Sequence, residues 1–400
     1  MDVKYLNIIK RKKKYISLQI GTPPRKRDKT KNKSEIQKQV IESMRAHRKK
    51  KLKMDLAVQI ITYSTDRDTP SIAEWVKNIV DLMHKKEYLE NANDAEFLPF
   101  EDDSKIKYLY ARYFFVGDSP SIHIKIHPFS GFISDLHLLN EYRNKNAWND
   151  YRDGKNWKNQ DWLRLKELET NRQKYIELFS KEAYENMVMM AQEDQQKYLS
   201  EALAISRHLI TTIYPKDDQY QKYFKNIYRD WSNMLLKAPL RLSLPGIPKD
   251  GSTKKEIAKQ YKQMIQRKLE EYKKSISVLG KIINPMVVTI MYRPARGRDK
   301  KDIDNILLEY ILPKVNTVFS PPASSYGLTE YSIDSVVRKV PLAKDMKGQP
   351  IGYEILKLPF DIDSPDGELF FGFNFDYNDD TLMNQTEKFL DEYLPHGHYF

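Results

Sequence analysis

The sequence predicts an α/β (α+β) fold in which two similar mixed-sheet units share one chain and are joined by an α-helical insert. Two observations lead there: a segment pattern that recurs after about 225 residues, and a middle third with helical periodicity and little else. The first pattern opens with YISLQIGTPPRKRDKTKNKSEIQKQVIESMR, and the second with LRLSLPGIPKDGSTKKEIAKQYKQMIQRKLEEY. Each reads as a short strand, a G-x-P turn (Gly21 and Pro23; Gly246 and Pro248), a basic loop and an amphipathic helix opening at Ser34 or Thr253.

The parallel continues in order. MDLAVQIITYS and NPMVVTIMYRP are β-branched strand candidates. The apolar helices PSIAEWVKNIVDLM and KDIDNILLEYILPKV follow, and then EDDSKIKYLYARYFF and LTEYSIDSVVRKV, both read as strands. Five coincidences in one order point to a tandem duplication. Between the copies, LRLKELETNRQKYIELFSKEAYENMVMMAQEDQQKYLSEALAISRHLITTIY lacks Gly and Pro, so it reads as helical. Met187, Met189 and Met190 fit core packing there, as do Trp148, Trp157 and Trp162. The expected organisation is 1–134, a basic arm and first unit; 135–239, a helical linker; and 240–400, the second unit with a C-terminal extension. After residue 355, FDIDSPDGELFFGFNFDYNDD reads as a strand pair with an acidic turn, before a short helix. His396 and His398 read as solvated chain-end histidines rather than a metal pair.

Composition bounds the function. The hydrophobic share of 40% suits a globular chain with a real core. Cysteine is absent, which excludes disulfides and thiolate zinc sites. No apolar run is long enough for a membrane span, no cleavable signal stands at the start, and a cytoplasmic setting is expected. The net charge of +12 is uneven: residues 1–53 hold 19 Lys/Arg and 4 Asp/Glu, a local net of +15. Such a block suits a polyanion, or else a solvated arm. Arg25, Lys26, Arg27, Lys249, Arg293, Arg296, Arg298, Lys300 and Lys301 are the expected DNA-facing cations.

The motif that carries chemistry is RGRDKKDIDNILLEY. Asp302 and Asp304 flank Ile303, Asn305 follows, and the group lies at a strand-to-helix turn. Two acids there also fit plain helix capping, worth about 0.3–1 kcal/mol each. Glu330, at the opening of the next expected strand, would add a third oxygen donor. Three such donors suit Mg²⁺ or Mn²⁺, and an ion beside a basic surface can orient water and neutralise charge on a phosphodiester.

The strand, G-x-P turn, D-x-D-N helix opening and later acid resemble the RusA family of Holliday-junction resolvases, over about residues 14–128 and 240–345. The resemblance implies a metal-dependent endodeoxyribonuclease of branched DNA, arranged as a single-chain pseudo-dimer open to further self-association. It puts Asp302, Asp304 and Glu330 on the family's metal acids and Asn305 on its asparagine. Leu308 stands at the family lysine, for which Lys300, Lys301 or Lys314 could substitute. In the first copy Pro70, Lys77, Asp102 and Asp103 match the pattern. Ser71 and Ala73 replace the two metal acids and Glu74 the asparagine, so that site reads as degenerate. One competent site per chain follows. The alternative is an inactive DNA-binding or scaffolding protein of the same descent.

Overall fold

The computed structural model describes residues 3–21, 30–64, 72–115, 120–146, 167–168, 170–188, 190, 242–246, 254–276, 287–296, 310–318, 352–358, 365–374 and 382–396. Its eight strands are β1 (Ile16–Ile20), β2 (Leu56–Ser64), β3 (Ile106–Phe115), β4 (Ser121–Pro128), β5 (Leu242–Pro245), β6 (Val287–Arg293), β7 (Gly352–Lys357) and β8 (Glu368–Asn374). Its helices are α1 (Val3–Lys12), α2 (Thr30–Ala46), α3 (Ile72–His84), α4 (Phe129–Asn146), α5 (Arg172–Phe179), α6 (Lys254–Ile276), α7 (Leu312–Val318) and α8 (Leu382–His396).

All eight strands join one mixed sheet in the order β1-β4-β2-β3-β7-β6-β8-β5. The order is a palindrome of equivalent strands. β1 pairs antiparallel with β4, β4 antiparallel with β2, and β2 parallel with β3. β5, β8, β6 and β7 repeat that sequence of senses. The halves meet where β3 and β7 pair antiparallel, from Tyr108↔Leu356 to Arg112↔Gly352. Gly352 is needed at this seam, because a Cβ there would stand 2.7 Å from the Ala111 carbonyl oxygen.

Side chains alternate between the two faces of each strand, and β7 is buried on both. Leu18, Val58, Ile60, Ile124, Ile126, Val288, Ile290, Ile355 and Phe371 fall in a single apolar cluster. α2 meets it with Ile36, Val40 and Met44, and α6 with Tyr261, Ile265 and Leu269, each set repeating every four residues on one helical face. The opposite face is polar and is roofed by α4 and α8. Gln59 Nε2 donates to Asn384 Oδ1 at 3.0 Å, and Lys125 Nζ and His127 Nε2 reach Glu387. Tyr108, beneath α4, donates to Glu354 across the seam at 2.7 Å and packs its ring on Phe132.

α1 belongs to this roof. Ile8 is fully buried with Leu139, Phe389 and Leu390. Arg11 donates to Asp135 Oδ1 from Nη2 at 2.7 Å and from Nε at 3.1 Å, Tyr15 donates to Asp135, and Lys12 pairs with Asp391. Burial pushes the Asp135 carboxyl up against the pull of these donors, and burial with the Asp135 charge pushes the Tyr15 hydroxyl far up. The expected basic arm therefore spends Arg11 and Lys12 on the fold itself.

Several expectations shift. α2 begins at Thr30, four residues before the expected opening at Ser34. α4 runs across the expected 134/135 boundary and packs on the sheet, because Phe132, Leu136 and Leu139 face inward. The strand beside β6 in the second half is Gly352–Lys357, whereas 328–340 lies outside the described residues. β4 was not expected, although its Ile122-Ile124-Ile126 alternation signals it. Within the helical middle, Leu168, Tyr184 and Val188 form a small cluster with Met187 against it, while Met190 is exposed. Trp148, Trp157, Trp162 and Met189 lie outside the described residues.

Glu387 gives a pH test of the roof. Burial alone would raise its pKa, but hydrogen bonds and charge from His127 and Lys125 outweigh it and hold the carboxyl below the ordinary value. A depressed folded pKa contributes stability that is present above the unfolded pKa and lost as pH falls through the folded one. Urea midpoints should therefore fall as pH drops below the usual glutamate range. Glu387→Gln should flatten that acid limb, and an unchanged limb would place the acid sensitivity elsewhere.

Candidate metal centre and basic surface

The C-terminal turns of α3 put Asp81 and His84 on one helical face, three residues apart. Asp102 caps the short turn Asp103–Lys105 that leads into β3: its side chain accepts from the Ser104 N–H at 2.9 Å. That backbone hydrogen bond, more than any other influence, holds the Asp102 carboxyl below its ordinary value. The turn brings Asp103 back against α3, with Oδ2 4.0 Å from His84 Nε2. One donor atom from each of Asp81, His84 and Asp103 lies within 4.8 Å of the others, all three residues being half-buried.

His84 is held from two sides. Its Nδ1 lies 2.9 Å from the Val80 carbonyl oxygen, and its ring stacks on Phe100 with centroids 5.7 Å apart. An Nδ1–H donated to a carbonyl leaves the Nε2 lone pair facing Asp103, the tautomer a metal ligand uses. Gln37 of α2 fixes the helix end by donating Nε2 to the carbonyls of Leu82 and Lys85, each at 2.8 Å. Its Oε1 is a buried acceptor without a hydrogen-bond donor. Lys85 holds Asp81 at 2.9 Å, and although burial opposes it, that hydrogen bond and charge raise the ammonium pKa.

A basic turn adjoins this group. Leu52 bridges to Phe100, the ring on which His84 stacks, and so places Lys51 and Lys53 beside it. Arg48, Lys50 and Lys53 are exposed. Arg48 sits at φ 51°, and Lys49 N–H donates to the Met44 carbonyl at 2.8 Å, the closing bond of a helix C-terminal motif that favours glycine. A side chain in that region costs about 1 kcal/mol. Burial, then the charge of Lys86, lowers the Lys51 pKa, as expected where cations crowd. β6 ends at the same edge of the sheet, because β7 runs antiparallel to β3 and parallel to β6.

Most of the acidic motif expected from the sequence falls outside the described residues: Asp302, Asp304, Asn305 and Glu330, together with Ser71, Arg25, Lys26, Arg27, Lys249, Arg298, Lys300 and Lys301. Arg296 is exposed, and its backbone N–H donates to the Pro365 carbonyl. Arg293 corrects an expectation. It is fully buried, with Nε 3.2 Å from Glu368 Oε2, so it does not face phosphate. Gly367, at φ 71°, lets the chain turn against Arg293 and Ala295 where β6 ends.

Of the expected degenerate set, Ser71 lies outside the described residues. Ala73 lies in the first turn of α3 and Lys77 in the next, whereas Asp103 meets the last residue of the helix. Thirteen helical residues span about 18 Å between their ends. The structure gathers Asp103 with Asp81 and His84, whose i, i+3 spacing on an apolar helix is legible in the sequence.

Compared with known proteins, the chain matches no family model and no curated protein. Among the described residues, no helix is long and apolar enough to cross a membrane.

Proposed function

We propose that the chain is a metal-dependent endodeoxyribonuclease of branched DNA, built as a single-chain pseudo-dimer of RusA-like units with one competent motif. The observation that supports this reading is the repeated strand order. β2-α3-β3 in one half and β6-α7-β7 in the other occupy equivalent sheet positions. Asp302 and Asp304 thus fall, in chain order, between β6 and α7, as Ser71 and Ala73 fall around the start of α3. In this reading Asp302, Asp304 and Glu330 hold Mg²⁺ or Mn²⁺, which would neutralise developing charge and orient a water, while exposed cations hold the phosphates. The second reading, an inactive DNA-binding or scaffolding protein, draws on Leu308 at the family lysine.

The plasmid assay separates the two. A monomer with one site nicks one strand per binding event, so supercoiled plasmid should become open circle well before linear product appears. Rapid linearisation by demonstrated monomer would contradict the single-site reading. No nicking at all would favour the inactive binder.

The basic turn supplies a salt test. Each phosphate contact adds about −0.9 to the slope of log K against log salt on duplex DNA. Arg48→Gly should reduce the slope by about one contact while leaving stability equal or better, since glycine is at ease at that backbone angle. A slope identical to wild type would remove this turn from the DNA-contacting surface.

A further inference from the structure

We propose that Asp81, His84 and Asp103 form a divalent-cation site of their own, in the half of the chain where Ser71 and Ala73 replace the two acids of the D-x-D-N motif. The inference does not rest on the nuclease reading, because none of the three belongs to the D-x-D-N motif.

Preorganisation and donor chemistry suit these three residues to a cation. Two carboxylates and an imidazole come from a helix end and a capped turn, with donor atoms within 4.8 Å of one another. Bonds of about 2.0–2.2 Å put opposed donors about 4.4 Å apart around an ion, so small side-chain rotations complete the set. His84 is already committed through Nδ1 to the Val80 carbonyl and clamped by Phe100, so its Nε2 needs no reordering. Without a cation, two carboxylates stand within 4.8 Å of each other, and Lys85 supplies a counter-charge to Asp81. Gln37, 1% exposed, holds the end of α3 through the Leu82 and Lys85 carbonyls and so fixes the turn that carries Asp81 and His84. An imidazole with two carboxylates selects Mn²⁺ or Zn²⁺ over Mg²⁺, which prefers oxygen alone. The adjacent cations around Leu52 would let a phosphate oxygen take an open coordination position.

Mn²⁺ titration of the full chain, followed by electron paramagnetic resonance, tests the proposal. The background is Asp302→Asn with Asp304→Asn, so that failure of the nuclease reading and failure of this one are separately visible. One Mn²⁺ site should remain, and His84→Gln or Asp103→Asn should weaken it at least about tenfold. Lys85→Met should tighten it by up to about fivefold, the worth of a half-exposed ion pair whose removal frees Asp81. Circular dichroism checks that each variant is folded. Absence of Mn²⁺ binding in the background protein overturns the proposal. So does an affinity indifferent to His84→Gln, Asp103→Asn and Lys85→Met.

Discussion

Asp302→Asn combined with Asp304→Asn is expected to lower metal-dependent DNA cleavage by at least about 10²-fold, the scale of losing one electrostatic stabiliser of a transition state. Neutral amides are poor ligands for a hard divalent cation, so the ion is lost along with its charge. DNA affinity should stay within a few-fold, because the cations proposed to hold phosphate are other residues. The check is a paired measurement of nicking rate and binding on the same preparation. Full cleavage by the double variant would show that the motif only caps a helix. Loss of both activities together would show that it is structural.

The largest stability effect is expected at the seam. Glu354 is fully buried and accepts from the Tyr108 hydroxyl, itself fully buried, across the β3–β7 pairing that makes two four-stranded halves into one sheet. Glu354→Ala should cost about 2–4 kcal/mol. A buried hydrogen bond is lost, the Tyr108 hydroxyl loses this acceptor, and a small cavity is left. Tyr108→Phe, which removes only the donor, should cost about 1–3 kcal/mol. The two losses should be non-additive, since the residues are in contact. Urea unfolding reads both. If Glu354→Ala shifts the midpoint no more than a surface change, the halves do not depend on this seam.

The fold was legible where period and order speak for themselves. β1, β2, β3, β5 and β6 stand where their alternating or β-branched runs put them, and the four-residue repeats of α2 and α6 mark the faces they bury. The strand beside β6 is Gly352–Lys357, while the alternating run from Leu328 to Val340 lies outside the described residues, and pattern alone does not say which run takes that place. The seam, with α4 and α8 over the polar face, was not legible at all, since nothing in a local pattern says which strand will be its distant neighbour.

The site shows the same division. Arg293 follows a β-branched strand, and a charge beside a basic loop suggests solvent. Its burial depends on Glu368 in β8, 75 residues away. The family resemblance groups Asp103 with Ser71 and Ala73. Connectivity places it at the far end of α3, because a helix that returns antiparallel to β2 delivers its C-terminus, not its N-terminus, to the start of β3. Sequence spacing fixes neighbours along a helix. It does not fix which edge of a sheet a turn will occupy.

The central claim is metal-dependent cleavage of branched DNA, and a synthetic four-way junction tests it most directly. Under single-turnover conditions the wild-type chain should cut the junction with Mg²⁺ or Mn²⁺ and cut linear duplex of the same sequence far more slowly. EDTA should abolish the reaction while leaving the junction bound. Tight junction binding with no cleavage in either metal, at any protein concentration, would contradict the account and leave a DNA-binding protein in its place.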